Sequence, residues 1–412
     1  MAILLSAKGS DITAWRAATD FSALFRQSLL NRLEHCGPDD AEQLLRQTIS
    51  AIEGLAVAND AFCQKCAQQI ADVSHCSEPA QLRELTTDFY SDTYTYFATH
   101  HSAPAFYQAS SAFLQALAGA VRRYAENRMG ALSRHIPRIG LIALGPAGRQ
   151  EFSPFCPLQL MIVHGRPECP DAEAVSQFGH LIHEGFEASG LRVDSAITPR
   201  SPQWRGSMTE WHQRTLTTIE RGKPQELIDL LRLADQSTLL GEDGLDDDFR
   251  LFSRSFLLES RPTLAMYVTR IIGISHGIGI MGGFRLVKSG PYRGKFAILE
   301  NGLIPLTAAI SAFALLKGDE APSTPGRIRN GLARRELSVD LAERMLHSWH
   351  TLNELRLERE LPVQPDWTNE GPLHLDIDLL NETERESLRS SLETAASAQR
   401  QVVLIFNEME TG

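Results

Sequence analysis

Residues 141–163 read LIALGPAGRQEFSPFCPLQLMIV. Gly145 and Gly148 follow an apolar run, and glycines at such a turn let backbone amides come close to an anion. A helical turn starting there can aim its N–H groups at a polyphosphate. Arg149 adds a planar guanidinium fork suited to phosphate, and Glu151 a carboxylate. Gly145, Gly148, Arg149 and Glu151 are therefore candidate nucleotide-binding residues. For Arg149 and Glu151 a second reading stays open, an ion pair that stabilises the turn. Phosphoryl transfer would need more, namely two acids at alternate positions of the next strand, on one face, to hold metals. The segment 152–163 contains no Asp or Glu.

The elements that would position these residues are legible around them. Ile139 to Leu144 and Leu158 to Val163 are dense, partly β-branched runs bounded by Gly and Pro, the pattern of buried strands. A helix follows, AEAVSQFGHLIHEGFEASG, ending at Gly190, and then a strand is expected near Leu191 to Ile197. Ser207 three residues before Glu210 predicts a capping box. Residues 136–250 thus read as a small mixed α/β domain. Residues 1–135 read as helical, with stripes in SALFRQSLLNRLEHC, AEQLLRQTISAIEGLAVA and SSAFLQALAGAVRRYAENRMGAL and breaks at Cys36-Gly37-Pro38 and Ser77-Glu78-Pro79. Residues 251–412 are helical again. Thr324-Pro325 is read as cap and first helical proline. One stripe carries Leu341, Met345, Trp349, Leu352 and Leu355 and stops at Pro362. The last helix starts at Asn381 with Glu384 three on, and its stripe runs Leu388, Leu392, Ala395, Gln399, Val402, Phe406. The expected fold is α+β, a small mixed sheet between N-terminal and C-terminal helical domains.

Composition narrows the function classes. Hydrophobic residues make up 43% and charged residues 22%, ordinary globular values. The net charge of -11 is spread along the chain, which argues against a nucleic-acid surface, since such binding runs on phosphate neutralisation by Lys and Arg. Arg327, Arg329, Arg334 and Arg335 could form a local basic pocket, but the preferred reading is a solvated helix face. No run of about 18 apolar residues stands out, and the N-terminus lacks a basic n-region, so a cytoplasmic protein without a membrane partner is expected. Six cysteines do not suggest a disulfide framework here. Cys63, Cys66, His75 and Cys76 have a spacing that could ligate zinc, but Cys63 and Cys66 fit one helix face equally well, and no metal site is expected. HGIGIMGG at 276–283 contains G-x-G-x-x-G without a convincing strand before it or βαβ unit around it, and reads as a connection. Trp204, Trp211, Trp349 and Trp367 read as packing anchors. His180 and His183 lack a third ligand nearby.

The stretch LGPAGRQEFSPFCPLQLMIV resembles the motif G-S-x-G-R-x-E followed by D-x-D of the DUF294-type nucleotidyltransferases, relatives of the N-terminal part of bacterial protein-PII uridylyltransferase within the DNA polymerase beta-like superfamily. Gly145, Gly148, Arg149 and Glu151 match. The family serine falls on Pro146, and the two acids on Pro157 and Gln159. Downstream, Trp204, Arg205, Ser207, Glu210 and Trp211 match the family's W-R-x-S-x-x-E-W region, and Asp235 takes the place of the aspartate in F-D-L-R, whose arginine is here Ser237. GLIPL, STPGRI, LRL and IDLLNETERESLRSSL are similar to the family's C-terminal helical domain. The family's D-L-K falls on Ala297, Ile298 and Leu299, and the arginine of A-R-x-x-A-L on Ser311.

The resemblance implies a nucleotidyltransferase shell in which the catalytic acid positions, Pro157 and Gln159, are degenerate. Asp235 is then either a remnant ligand or a cap or turn residue. The function implied is a nucleotide- or partner-binding regulatory module in bacterial signal transduction, with no cofactor. The alternative is an active uridylyltransferase-like enzyme that uses Glu151 and Asp235 to hold Mg2+ with a nucleoside triphosphate. Long apolar stripes are compatible with a homodimer.

Overall fold

The computed structural model describes residues 58–76, 78–165, 172–242, 244–279 and 282–411. The helical segments expected before residue 58, and the break at Cys36-Gly37-Pro38, lie outside the described residues. So does Ser77 of the second break, and the centre of HGIGIMGG at 280 and 281.

The described residues open with α1 over 58–75, α2 (Pro79–His100) and α3 (Ala103–Met129). β1 (Ile139–Leu144) runs into a single helical turn, Gly145–Gly148, and β2 (Gln159–His164) returns antiparallel to it, with Leu144 opposite Gln159. After α4 (Ala172–Ala188), a short β3 (Arg205–Ser207) adds to β2 in parallel. Next come α5 (Met208–Arg221), α6 (Pro224–Leu231) and β4 (Gln236–Leu240), which pairs with the other edge of β1 in antiparallel fashion. The sheet order is β3-β2-β1-β4. All six residues of β1 are buried, and because strand side chains alternate, both faces of this strand must be covered. Helix α3 packs on α4 and β4, and α7 (Leu245–Glu259) packs on β1 and β2.

The remaining helices are α8 (Arg261–Gly273), α9 (Ile304–Leu316), α10 (Thr324–Ala333), α11 (Val339–Glu360) and α12 (Glu382–Thr411). A two-stranded β5–β6 pair, Phe296–Ala297 with His374–Leu375, ties the start of this region to its later part. The stretch Leu299–Leu316 is apolar and long enough to cross a membrane by composition, yet 72% of it is buried and Leu306, Ile310 and Phe313 sit in the core. One buried hydrophobic cluster runs from α2 through the sheet into α12. The fold is α+β, mostly helical around a small mixed sheet.

Local signals explain most of these elements. The apolar stripe of α12 is buried from Leu388 through Leu392, Ala395, Gln399 and Val402, and Phe406 packs against it. Asn381 and Glu384 cap one another at its start, by bonds of 2.7 and 2.9 Å. In α11, Met345, Trp349, Leu352 and Leu355 are buried. The Ser207–Glu210 capping box is formed in both directions. Replacing Ser207 with Ala should cost about 1 kcal/mol in urea unfolding, since an orphan helix N–H loses its acceptor.

Three expectations are corrected. Residues 191–197 do not form a strand. They make one parallel bridge, Val193 to Leu158, and then Asp194 Oδ1 accepts the backbone N–H groups of Ala196 and Ile197 at 2.8 and 3.0 Å, which bends the chain away. The cap of α10 is Ser323 rather than Thr324, its hydroxyl accepting from Gly326 N–H. Arg327 does not lie on a solvated face: it is 3% exposed, whereas Arg334 and Arg335 are exposed as expected.

Candidate functional site

The turn between β1 and β2 is held by very close backbone approaches. Gly145 has φ +60°, and a Cβ there would sit 2.7 Å from Gln159 Oε1. A Cβ on Gly148 would lie 2.2 Å from the carbonyl oxygen of Asp235 and 2.9 Å from that of Ala143. Neither carbonyl can swing aside as a side chain would. Gly148→Ala should therefore cost about 1–3 kcal/mol by overpacking, read as a lowered urea midpoint. The turn itself is closed by Arg149 N–H to Gly145 O at 2.9 Å and Glu151 N–H to Pro146 O at 2.7 Å, and Gly145 N–H reaches Asp235 O at 3.1 Å. Pro146, where the resemblance expects a serine, puts a ring at the start of the helical turn.

Arg149, Glu151 and Asp235 come together, and Arg327 and Ser311 join them from the C-terminal helices. Arg149 donates through Nε to Glu151 Oε2 at 3.1 Å and through Nη1 to Asp235 Oδ2 at 2.8 Å. Arg327 Nη1 donates to Asp235 Oδ1 at 2.6 Å and to Ser311 Oγ at 2.6 Å, and Ser311 Oγ donates to Asp235 Oδ1 at 2.7 Å. Arg327 also reaches the carbonyls of Ala234 and Ala321. Glu151 Oε1 accepts the Thr324 N–H at 2.9 Å, so a carboxylate from the turn sits at the positive end of α10. The four charged side chains are only 4–14% exposed. Burial pulls the Arg149 guanidinium down, but the Asp235 and Glu151 carboxylates outweigh it and hold it above its ordinary value. For Asp235, burial pushes the carboxyl up, while Arg327, Arg149 and the Ser311 hydroxyl bring it below the usual range.

The positions that the resemblance assigns to acids take no part in this cluster. Pro157 is exposed, and Gln159 is half-buried at the start of β2. Gln159 Nε2 donates to Asp194 Oδ2 at 3.2 Å, and its Oε1 is buried with no hydrogen-bond partner among the described residues. Asp194 is thus the carboxylate that stands beside the second acid position. Its sequence signal is D-S-A-I, an Asx-turn pattern within a stretch that otherwise reads as strand. Among the described residues, no three His, Cys, Asp or Glu side chains converge on a point that could hold a metal ion.

Other candidates separate. Cys63 is exposed and Cys66 buried on α1, His75 Nδ1 bonds Ala71 O, and Cys76 bonds Gln81. His183 is buried against Thr198 and Glu187, while His180 faces solvent. Trp204, Trp211, Trp349 and Trp367 are 1–5% exposed and pack in the core. In the 276–283 segment, Gly277 and Gly282 have φ of +75° and +77°, and no helix starts among its described residues. Ser237 donates to Ala147 O, and Ala297 and Ile298 are buried. A cavity of about 480 Å³ lies away from the motif, between α5 and α6, and is walled by Trp204 and Trp211. A smaller one, about 240 Å³, opens beside Gln150 and Glu151.

A glycine turn joining two antiparallel strands of a mixed four-stranded sheet, with a helical unit clasped to that turn, is the arrangement that the resemblance to the nucleotidyltransferases implies. The family described as putative nucleotidyltransferase DUF294 matches residues 89–225, and its companion, described as putative nucleotidyltransferase substrate binding domain, matches residues 261–406. The chain belongs to this family of paired domains. The first match begins inside α2, and Asp235 falls between the two matched stretches. No curated protein matches the chain.

Proposed function

We propose that this chain is a catalytically degenerate nucleotidyltransferase-like protein, a nucleotide- or partner-binding regulatory module in bacterial signal transduction. The closed charge balance around Asp235 carries this reading. Two guanidinium groups meet two carboxylates, and all four carboxylate oxygens already have partners in Arg149, Arg327, Ser311 or Thr324 N–H. Glu151 and Asp235 could hold a metal only by giving up those partners. An arginine at 311, where the resemblance places one, would add a third guanidinium and a net charge; the serine leaves the cluster neutral.

The residues at the acid positions do not fit a divalent metal. Pro157 supplies no ligand, Gln159 supplies one neutral oxygen, and Asp194 Oδ1 is committed to two backbone N–H groups. Mg2+ would find no pair of free carboxylates at these positions. The alternative, an active uridylyltransferase-like enzyme relying on Glu151 and Asp235, makes a distinct prediction. Purified protein is incubated with each labelled nucleoside triphosphate, Mg2+ or Mn2+, and acceptors including PII-type proteins. Metal-dependent label transfer that Asp235→Asn abolishes, with the fold retained by circular dichroism, would sink the degenerate reading. A saturable rise in Tm with nucleotide or an acceptor protein, equal with and without metal, supports it, because a ligand of the native state alone stabilises it.

A further inference from the structure

Residues 260–299 hold Arg261, Arg270, Arg285, Lys288, Arg293 and Lys295 and not one Asp or Glu, within a chain whose net charge is -11. Four of these cations crowd onto a short hairpin of the second matched domain. Arg285, Lys288 and Arg293 are exposed and Lys295 is half-buried, and none of the four side chains has a hydrogen bond or ion pair among the described residues. Glu300 and Asp376, the acids that next follow β5 and β6, form no ion pair with the hairpin either. The hairpin is held by its own backbone. Val287 N–H donates to Lys295 O at 2.8 Å, Gly294 N–H to Val287 O at 2.9 Å and Lys295 N–H to Tyr292 O at 3.1 Å, while Arg285 N–H reaches Gly277 O at 2.8 Å. Gly290 and Gly294 make its turns at φ +82° and +84°. The Tyr292 ring stacks on His374 with centroids 3.9 Å apart, and Phe284 packs edge-on against Phe296. The tip KSGPYR is thereby fixed to the β5–β6 pair, and its cations are displayed on a preorganised support.

Three properties of this surface select its occupant. The backbone N–H groups of Arg285, Val287, Arg293, Gly294 and Lys295 are all committed to backbone carbonyls, so no nest of free donors is present to grip a single phosphate. None of the four cations lines either cavity described above. A bilayer or a nucleic-acid duplex presents an extended face of negative charge, and attraction to four cations is screened beyond about 8 Å at physiological ionic strength. Such a face would also meet the acidic remainder of the chain, whereas a short acidic segment reaches the hairpin alone. Leu286, 38% exposed beside Arg285, adds an apolar contact that suits a peptide better than a phosphate backbone. From these we infer that the 285–295 hairpin is a docking surface for an acidic segment of a partner protein, held by Arg285, Lys288, Arg293 and Lys295 without metal or nucleotide. The inference gives the partner-binding form of the proposed function a surface and a chemistry, and rests on that reading for the existence of a partner. Complementary charge of this kind acts on encounter rate and on the choice of partner.

The test uses the full chain and a fluorescently labelled oligo-glutamate peptide, read by anisotropy without divalent metal at about 0.15 M ionic strength. A short DNA duplex, phosphatidylserine vesicles and inorganic pyrophosphate are titrated alongside. One-site saturation by the peptide is expected, weaker as salt rises, and reduced about tenfold or more by the double variant Lys288→Glu with Arg293→Glu, which reverses two exposed charges. Arg221→Glu with Lys223→Glu makes the same change of charge at the exposed connection between α5 and α6, and should leave binding unchanged. Each variant's own Tm verifies that it folds. The inference is overturned if the peptide fails to saturate, or if both double variants bind it equally well. It is also overturned if duplex, vesicles or pyrophosphate bind more tightly than the peptide and lose that affinity in the hairpin variant, since the surface would then serve another kind of anion. Failure of the peptide while nucleotides or PII-type proteins raise Tm removes this surface and leaves the proposed function standing. Peptide binding that depends on the hairpin, with no response to nucleotides, upholds this surface and removes the nucleotide-binding form of that reading.

Discussion

Arg327→Met is expected to lower unfolding free energy by about 3–5 kcal/mol in urea, because it strips a buried carboxylate of its strongest partner while leaving the carboxylate in place. Asp235 would keep Arg149 and Ser311 but lose the 2.6 Å bond from Arg327, and the Ala234 and Ala321 carbonyls would lose their guanidinium donor. The pH dependence has a definite sign. In the wild type the folded Asp235 carboxyl lies below its ordinary value, so its contribution is complete above the unfolded value of 3.8 and fades as pH falls through the folded one. Removing Arg327 raises the folded value. Acid unfolding followed by circular dichroism should therefore begin at higher pH in the variant. An unchanged acid midpoint together with unchanged stability would mean that the cluster does not hold the two domains together.

Arg356→Met should be equally damaging, about 3–5 kcal/mol near neutral pH, through a second buried cluster. Arg356 Nε donates to Glu360 Oε1 at 2.7 Å, its Nη2 reaches Ser153 Oγ and lies 3.4 Å from Cys156 Sγ, and Tyr94 OH donates to Glu360 Oε2 at 2.6 Å. These contacts fasten the 152–156 segment, which leads from the motif turn into β2, to α11 and α2. Burial pulls the Arg356 guanidinium down, but the Cys156 thiol and the Glu360 carboxylate hold it well above its ordinary value. Without Arg356, the buried Glu360 carboxylate keeps the Tyr94 and Ser153 hydroxyls as donors but loses its one charged partner among the described residues. Urea unfolding of wild type and variant at neutral pH should show the gap.

What the sequence discloses and what it hides divide by distance along the chain. The strand Ile139–Leu144, the Ser207–Glu210 box, the Asn381–Glu384 cap and the stripes of α11 and α12 are written in residues three to eight apart, where periodicity and capping chemistry act. The hairpin's glycines and Arg149 are legible for the same reason. Arg327 reads as a solvated residue because its partner is 92 positions away, and Glu151 meets the Thr324 N–H across 173. No local pattern reports such a pairing. Of the two readings open for Arg149 and Glu151, the ion pair is formed, and it extends to Asp235. Asp194 is hidden by a different cause. Its run of Val, Ile and Leu neighbours scores as strand, while its own side chain bends the backbone. The strand β4, QSTLL, is polar at three of five positions and gives no periodic signal.

The joint between the turn and α10 carries two positive and two negative charges, shielded from water. Dissolved ions screen exposed pairs such as Arg344–Asp340 and Lys223–Glu226 within a Debye length, about 8 Å at physiological ionic strength, but they gain little purchase on a buried, self-cancelling set. The two family domains should accordingly stay clasped as salt rises, when attachments made at the surface loosen.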